Sequence, residues 1–135
     1  MGLRHYVDGC GLEPALLELV KPRASQINGC AFCIDMHTKD ARAMGETEQR
    51  LYALNAWHEA PFYTDRERAA LAWTEAVTLV ADGHVPDEVY AHARQHFSEQ
   101  ELVNLTMGWS RSTAGTAWRS ASAGPPGAIS RSDRT

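Results

Sequence analysis

Two of the three cysteines in this 135-residue chain stand three apart, in Asn28-Gly29-Cys30-Ala31-Phe32-Cys33-Ile34-Asp35-Met36-His37, with a histidine four residues beyond the second. On an α-helix, positions three, four and seven apart share a face, so Cys30, Cys33 and His37 would line one stripe. Thiolate, not thiol, is the reactive form of cysteine. With a pKa near 8.5 only about 3% of a free thiol is ionised at pH 7, and a pKa lowered to ~6.5 raises that to roughly three quarters. The unpaired N–H groups and dipole of a helix N-terminus favour such a charge, and an adjacent imidazole can stabilise it or move its proton. Two thiols in reach of one another beside an ionisable ring suit redox chemistry. A structural zinc site would need four ligands, and only Cys10 and scattered histidines remain to complete the set. Inert packing of the two cysteines is the blander alternative.

The elements that would position these residues are helical. Pro14 suits a first helical turn, with Leu16, Leu17, Leu19 and Val20 behind it, and Pro22 is expected to kink or break that helix. A second helix is expected from about Asn28 to Met44, with Cys30, Cys33, Ile34, His37, Ala41 and Met44 inward and Gly45 ending it. A third should run from a Thr47 cap to about His58, closed by Pro61. Thr64-x-x-Glu67 and Ser98-x-x-Glu101 read as capping boxes. The first opens a helix with Ala69, Ala72, Trp73, Ala76, Val77 and Val80 inward; the second opens one with Leu102, Leu105, Thr106 and Trp109 inward. Pro86 fits the first turn of a short helix to His96. No segment alternates with period two over strand length, so the expected class is all-α, with about six helices.

A length of 135 residues suits one domain, expected over 1–119. The apolar fraction of 44% and charged fraction of 22% are those of an ordinary globular chain. A formal charge of −4 offers no electrostatic reason to expect nucleic acid or an anionic membrane as partner. No apolar run approaches the roughly 18 residues of a membrane helix. No segment resembles a signal peptide. The cytoplasm is therefore the expected location, where structural disulfides are rare. Between Gly108 and Ala128 there is no Leu, Ile, Val, Met or Phe, a composition too poor in apolar side chains to offset chain ordering. Residues 120–135 are expected to form a disordered polar tail, leaving the surface near Leu102, Leu105 and Trp109 exposed or covered by another subunit.

The run Glu18-Leu19-Val20-Lys21-x-Arg23-x-Ser25-Gln26-Ile27-Asn28-Gly29-Cys30-x-x-Cys33-x-x-x-His37 resembles the core motif of the AhpD-like alkylhydroperoxidases of the carboxymuconolactone decarboxylase superfamily. Ala41-Arg42, Arg50-Leu51, Asn55-Ala56-Trp57 and the stretch from Phe62 to Ala72 extend the likeness over residues 12–107. The resemblance implies an AhpD-like helical bundle that assembles as a homo-oligomer. It implies a thiol-dependent peroxidase that reduces small organic hydroperoxides or hydrogen peroxide without cofactor or metal. By the same resemblance Cys33 is the peroxidatic thiol, oxidised to a sulfenic acid, and Cys30 condenses with it to a disulfide. Glu18 and His37 are the implied proton relay. A dithiol or thioredoxin-like protein would restore the thiols. The alternatives are a lyase of the carboxymuconolactone decarboxylase type, whose branches generally do without the cysteine pair, and a non-catalytic redox-sensing or metal-binding member. Two departures stand out. Better-characterised relatives carry a histidine where this chain has Phe32. After Met107 the sequence turns small and polar, as a change of reading frame would make it, where relatives continue with an apolar helix.

Overall fold

The structure is a computed structural model that describes residues 12–109; the expectations for Cys10, for the 120–135 tail and for the far end of the 1–119 domain lie outside the described residues. Six α-helices and one 3-10 turn account for the regular structure there, with no strand among the described residues.

Helix α1 spans Pro14–Asn28, with proline in its first turn. It continues through Pro22, where a kink or break was expected. The ring removes the N–H that would have served the Glu18 carbonyl and crowds that carbonyl. Pro22 itself lies on the buried face with Leu19, Val20, Ala24 and Ser25, so packing against the neighbouring helices outweighs the lost bond. Gly29 then ends the helix at φ +67, the left-handed conformation that glycine adopts at least cost. The Cys30 N–H reaches back to the Ser25 carbonyl (3.2 Å) and the Gly29 N–H to that of Gln26 (3.1 Å), which closes the helix end.

Helix α2, Ala31–Ala43, therefore starts three residues later than expected, with Cys30 as its N-cap. Its buried positions are Cys33, His37 and Ala41, one turn apart, while Met44, expected inward, is exposed beyond the helix end. The third expected helix is divided. Helix α3 (Glu48–Tyr52) is followed by a 3-10 turn over Leu54–Ala56. Leu54, in that turn, is fully buried in the core, and beyond it the Arg68 guanidinium donates to the carbonyls of Trp57 and His58 (both 3.3 Å) and of Ala60.

Both capping boxes form. Thr64 and Glu67 exchange side-chain and backbone bonds at the start of helix α4, Asp65–Thr78. Ser98 and Glu101 do the same before helix α6, residues 99–109 (2.9 and 3.1 Å). Helix α4 buries Ala69, Ala70, Leu71 and Thr74, a face turned slightly from the expected one, and Val80 lies exposed past its end. Helix α5, Asp87–His96, has Pro86 as N-cap, one position before the first turn.

One apolar cluster joins Leu16, Leu19 and Val20 of α1, Leu54, Leu71 of α4 and Phe97 to Leu102, Leu105 and Trp109 of α6. The last three side chains are buried, while the surface beside them keeps an open apolar recess lined by Trp73, Tyr90, Leu102, Val103 and Met107. Helix α6 reaches the core because its aliphatic positions precede the polar stretch. Arg66 secures the arrangement. It pairs with Glu13 (3.1 Å) and Glu101 (2.9 Å), donates to the His96 carbonyl, and lies 4.2 Å over the Phe97 ring.

Candidate active site

The site is built where α1 packs on α2. The turn at Gly29 makes Cys30 the N-cap, and its Sγ accepts the Cys33 N–H at 3.2 Å. This is the bond an N-cap oxygen usually makes, here directed at sulfur. Cys30 is half-buried and Cys33, one turn in, is 1% exposed; neither is in a disulfide. His37, a further turn along the same stripe, is 8% exposed.

Glu18 arrives from α1. Its Oε1 accepts a bond from Lys21 Nζ at 2.9 Å, and its Oε2 is buried with no hydrogen-bond partner among the described residues. A carboxylate oxygen of Glu18, a ring nitrogen of His37 and a carboxylate oxygen of Asp40 all lie within 4.8 Å of one another. The structure thus brings Glu18 and His37 together across the helix pair, with Cys33 and Cys30 on successive turns of the histidine's own helix. Two neighbours escaped the sequence reading, Asp40 and Lys21. Both carried a signal, since Asp40 stands three after His37 and Lys21 three after Glu18, each on the same helix face as its partner.

Beyond Glu18 a cleft of about 310 Å³ opens between Ala15, Ala41, Met44, Glu46 and Arg50. Its wall is an ion-pair network. Arg50 binds Glu46 (3.0 Å) and Glu67 and donates to the Phe62 carbonyl (3.2 Å). Burial disfavours its charge, but the two carboxylates more than offset that and raise its pKa. Burial likewise pushes the Tyr63 phenol up, against the opposing Arg50 charge. On the other side of α1, Arg23 holds Glu75 at 3.0 Å and Asn55 at 3.0 Å, and Glu75 also accepts the Trp57 indole N–H at 2.7 Å. The arginines of the resembling stretches therefore fasten the helices around the site.

Residues 1–76 match the carboxymuconolactone decarboxylase family. The chain is 50% identical over 107 residues to the uncharacterized protein YdfG of Bacillus subtilis, covering 79% of this chain and 73% of that one. It is 32% identical over 95 residues to the uncharacterized YnjA of Escherichia coli, covering 70% of this chain and 52% of YnjA. A solved structure from Agrobacterium tumefaciens, of a protein of unknown function linked to AhpD-type antioxidant defence, superposes with a TM-score of 0.84 at 41% identity, over 90% of this chain and 83% of that one. The debrominase Bmp8 shares the fold, with a TM-score of 0.79 at 21% identity over 89% of this chain and 64% of its own. The chain belongs to the carboxymuconolactone decarboxylase family and has the AhpD-like all-helical fold. No helix among the described residues is long and apolar enough to cross a membrane.

Proposed function

We propose that this protein is a thiol-dependent peroxidase acting on small organic hydroperoxides or hydrogen peroxide. The observation that carries the reading is the convergence of Glu18 and His37 beside a helix whose first two turns present Cys30 and Cys33. In this reading the Cys33 thiolate attacks one peroxide oxygen. An S–O bond forms, the O–O bond breaks, and the departing alkoxide or hydroxide takes a proton from the Glu18–His37 pair. Cys30 then displaces water from the Cys33 sulfenic acid to form the disulfide. A dithiol or thioredoxin-like reductant returns both thiols by exchange. Cys30 is the more exposed sulfur and so the one that a protein reductant would attack, releasing Cys33 for the next cycle. The protein would work as a homo-oligomer in the cytoplasm, with no cofactor.

The test is consumption of a stoichiometric hydroperoxide by the fully reduced protein, followed by mass analysis of alkylated thiols. One disulfide gained for each peroxide lost is the expected result. Peroxide consumption that leaves both thiols free to alkylate, or no consumption at all, would overturn it. Decarboxylase-type chemistry draws no support from a cysteine pair at the start of α2.

A further inference from the structure

We propose that Glu18, His37 and Asp40 form a site for a divalent ion of the zinc class, and that its occupation switches the thiol chemistry off. The donor atoms lie within 4.8 Å of one another, two on α2 and one from α1. Donors on one tetrahedral zinc stand roughly 3.4 Å apart, given zinc–nitrogen and zinc–oxygen distances of about 2.0–2.2 Å. Closing the set needs the donor separations to shrink by at most about 1.4 Å, an approach to which Asp40, the exposed member, contributes by side-chain rotation. Glu18 is prepared for such a ligand. Lys21 holds its Oε1, while Oε2 is buried with no hydrogen-bond partner among the described residues, and a cation would satisfy it. One imidazole and two carboxylates select first-row ions over calcium or magnesium, which prefer all-oxygen shells. Three protein ligands leave a coordination position to water. The cysteines are not part of this set, so it differs from a thiolate zinc site.

The consequence for catalysis rests on the peroxidase reading: a metal would occupy the same carboxylate and ring nitrogen that the relay uses, leaving the leaving oxygen without its proton source. The test separates the two ideas. Zinc titration by calorimetry of Cys30→Ser/Cys33→Ser protein should show one equivalent bound, at least tenfold more weakly when Asp40→Asn is added. No binding, or binding indifferent to Asp40→Asn, overturns the site. Cobalt added to the unaltered chain serves as a second measurement that needs no variant. A d–d spectrum without a thiolate-to-cobalt band is expected, and a strong band of that kind would place the ion on the cysteines instead. Peroxide consumption by unaltered protein is then measured with and without saturating zinc. A loss of tenfold or more supports the switch, and an unchanged rate refutes it. If metal-free protein consumes no peroxide, the peroxidase reading has failed, and the calorimetric result still decides the site.

Discussion

Cys30 and Cys33 were legible in the sequence as a pair, and as unequal partners only through the family motif. Their spacing put both on one helix; only the glycine turn made Cys30 an N-cap whose sulfur accepts the Cys33 N–H, with Cys33 buried beneath. If Cys33 attacks peroxide, Cys33→Ser should abolish consumption, whereas Cys30→Ser should allow one turnover and leave a trappable sulfenic acid at Cys33. Dimedone labelling with peptide mass mapping checks this, and label on Cys30 would reverse the roles. Glu18 was legible only through the motif, because a lone glutamate on an apolar helix carries no message by itself. Its nearness to His37 is a tertiary fact. His37→Ala and Glu18→Gln should each slow peroxide consumption by ~10²–10⁴-fold. The pH–rate profile should change with both, and a profile indifferent to either substitution would return those side chains to a structural role.

At the scale of elements, helix class and most caps followed from local chemistry, while two boundaries did not. Pro22 signalled a kink or break, yet the helix continues with that ring on its buried face, and the expected helix from Thr47 to His58 gave way to a 3-10 turn whose Leu54 packs into the core. Neither effect is local, so periodicity could not reveal it. Gly29 is the element boundary that matters for chemistry. A Cβ there would meet nothing within 4 Å, so Gly29→Ala should cost only the left-handed backbone strain, roughly 1–2 kcal/mol. Urea unfolding measures that cost, and disulfide formation should slow in parallel, because the strain falls on the turn that sets Cys30. A second element prediction concerns the start of α6. The Ser98 backbone N–H, then Arg66, hold the Glu101 carboxyl below its usual range. A depressed carboxyl stabilises the fold above its unfolded pKa, and the gain is lost as pH falls through its folded value. Glu101→Gln should therefore lower the unfolding midpoint at neutral pH, with the difference shrinking in acid below the ordinary glutamate range. A difference that persists there would mean that the charge is not the cause.

Over the whole molecule, the arrangement depends on α6 reaching back across the bundle. Composition suggested a chain that loses its apolar character near the end and leaves a surface bare, yet Leu102, Leu105 and Trp109 lie in the same cluster as Leu16, Leu19 and Val20 of α1. The aliphatic residues just before the polar stretch reach the core, while Val103 beside them stays open at an apolar recess. The test compares two neighbours on one helix. Leu105 is fully buried and Val103 is 51% exposed. Deleting a buried leucine removes its transfer energy and leaves a cavity, about 2–5 kcal/mol in all. That is a large part of the 5–15 kcal/mol that typically holds a domain together. Leu105→Ala should therefore lower the urea midpoint sharply, or leave little folded protein, while Val103→Ala should shift it by roughly 0.5 kcal/mol or less. Because α1 carries both Glu18 and part of this cluster, Leu105→Ala should also slow peroxide consumption even where the protein remains folded. Equal, small effects from the two substitutions would mean that α6 does not hold α1 in place, and that the site keeps its geometry without it.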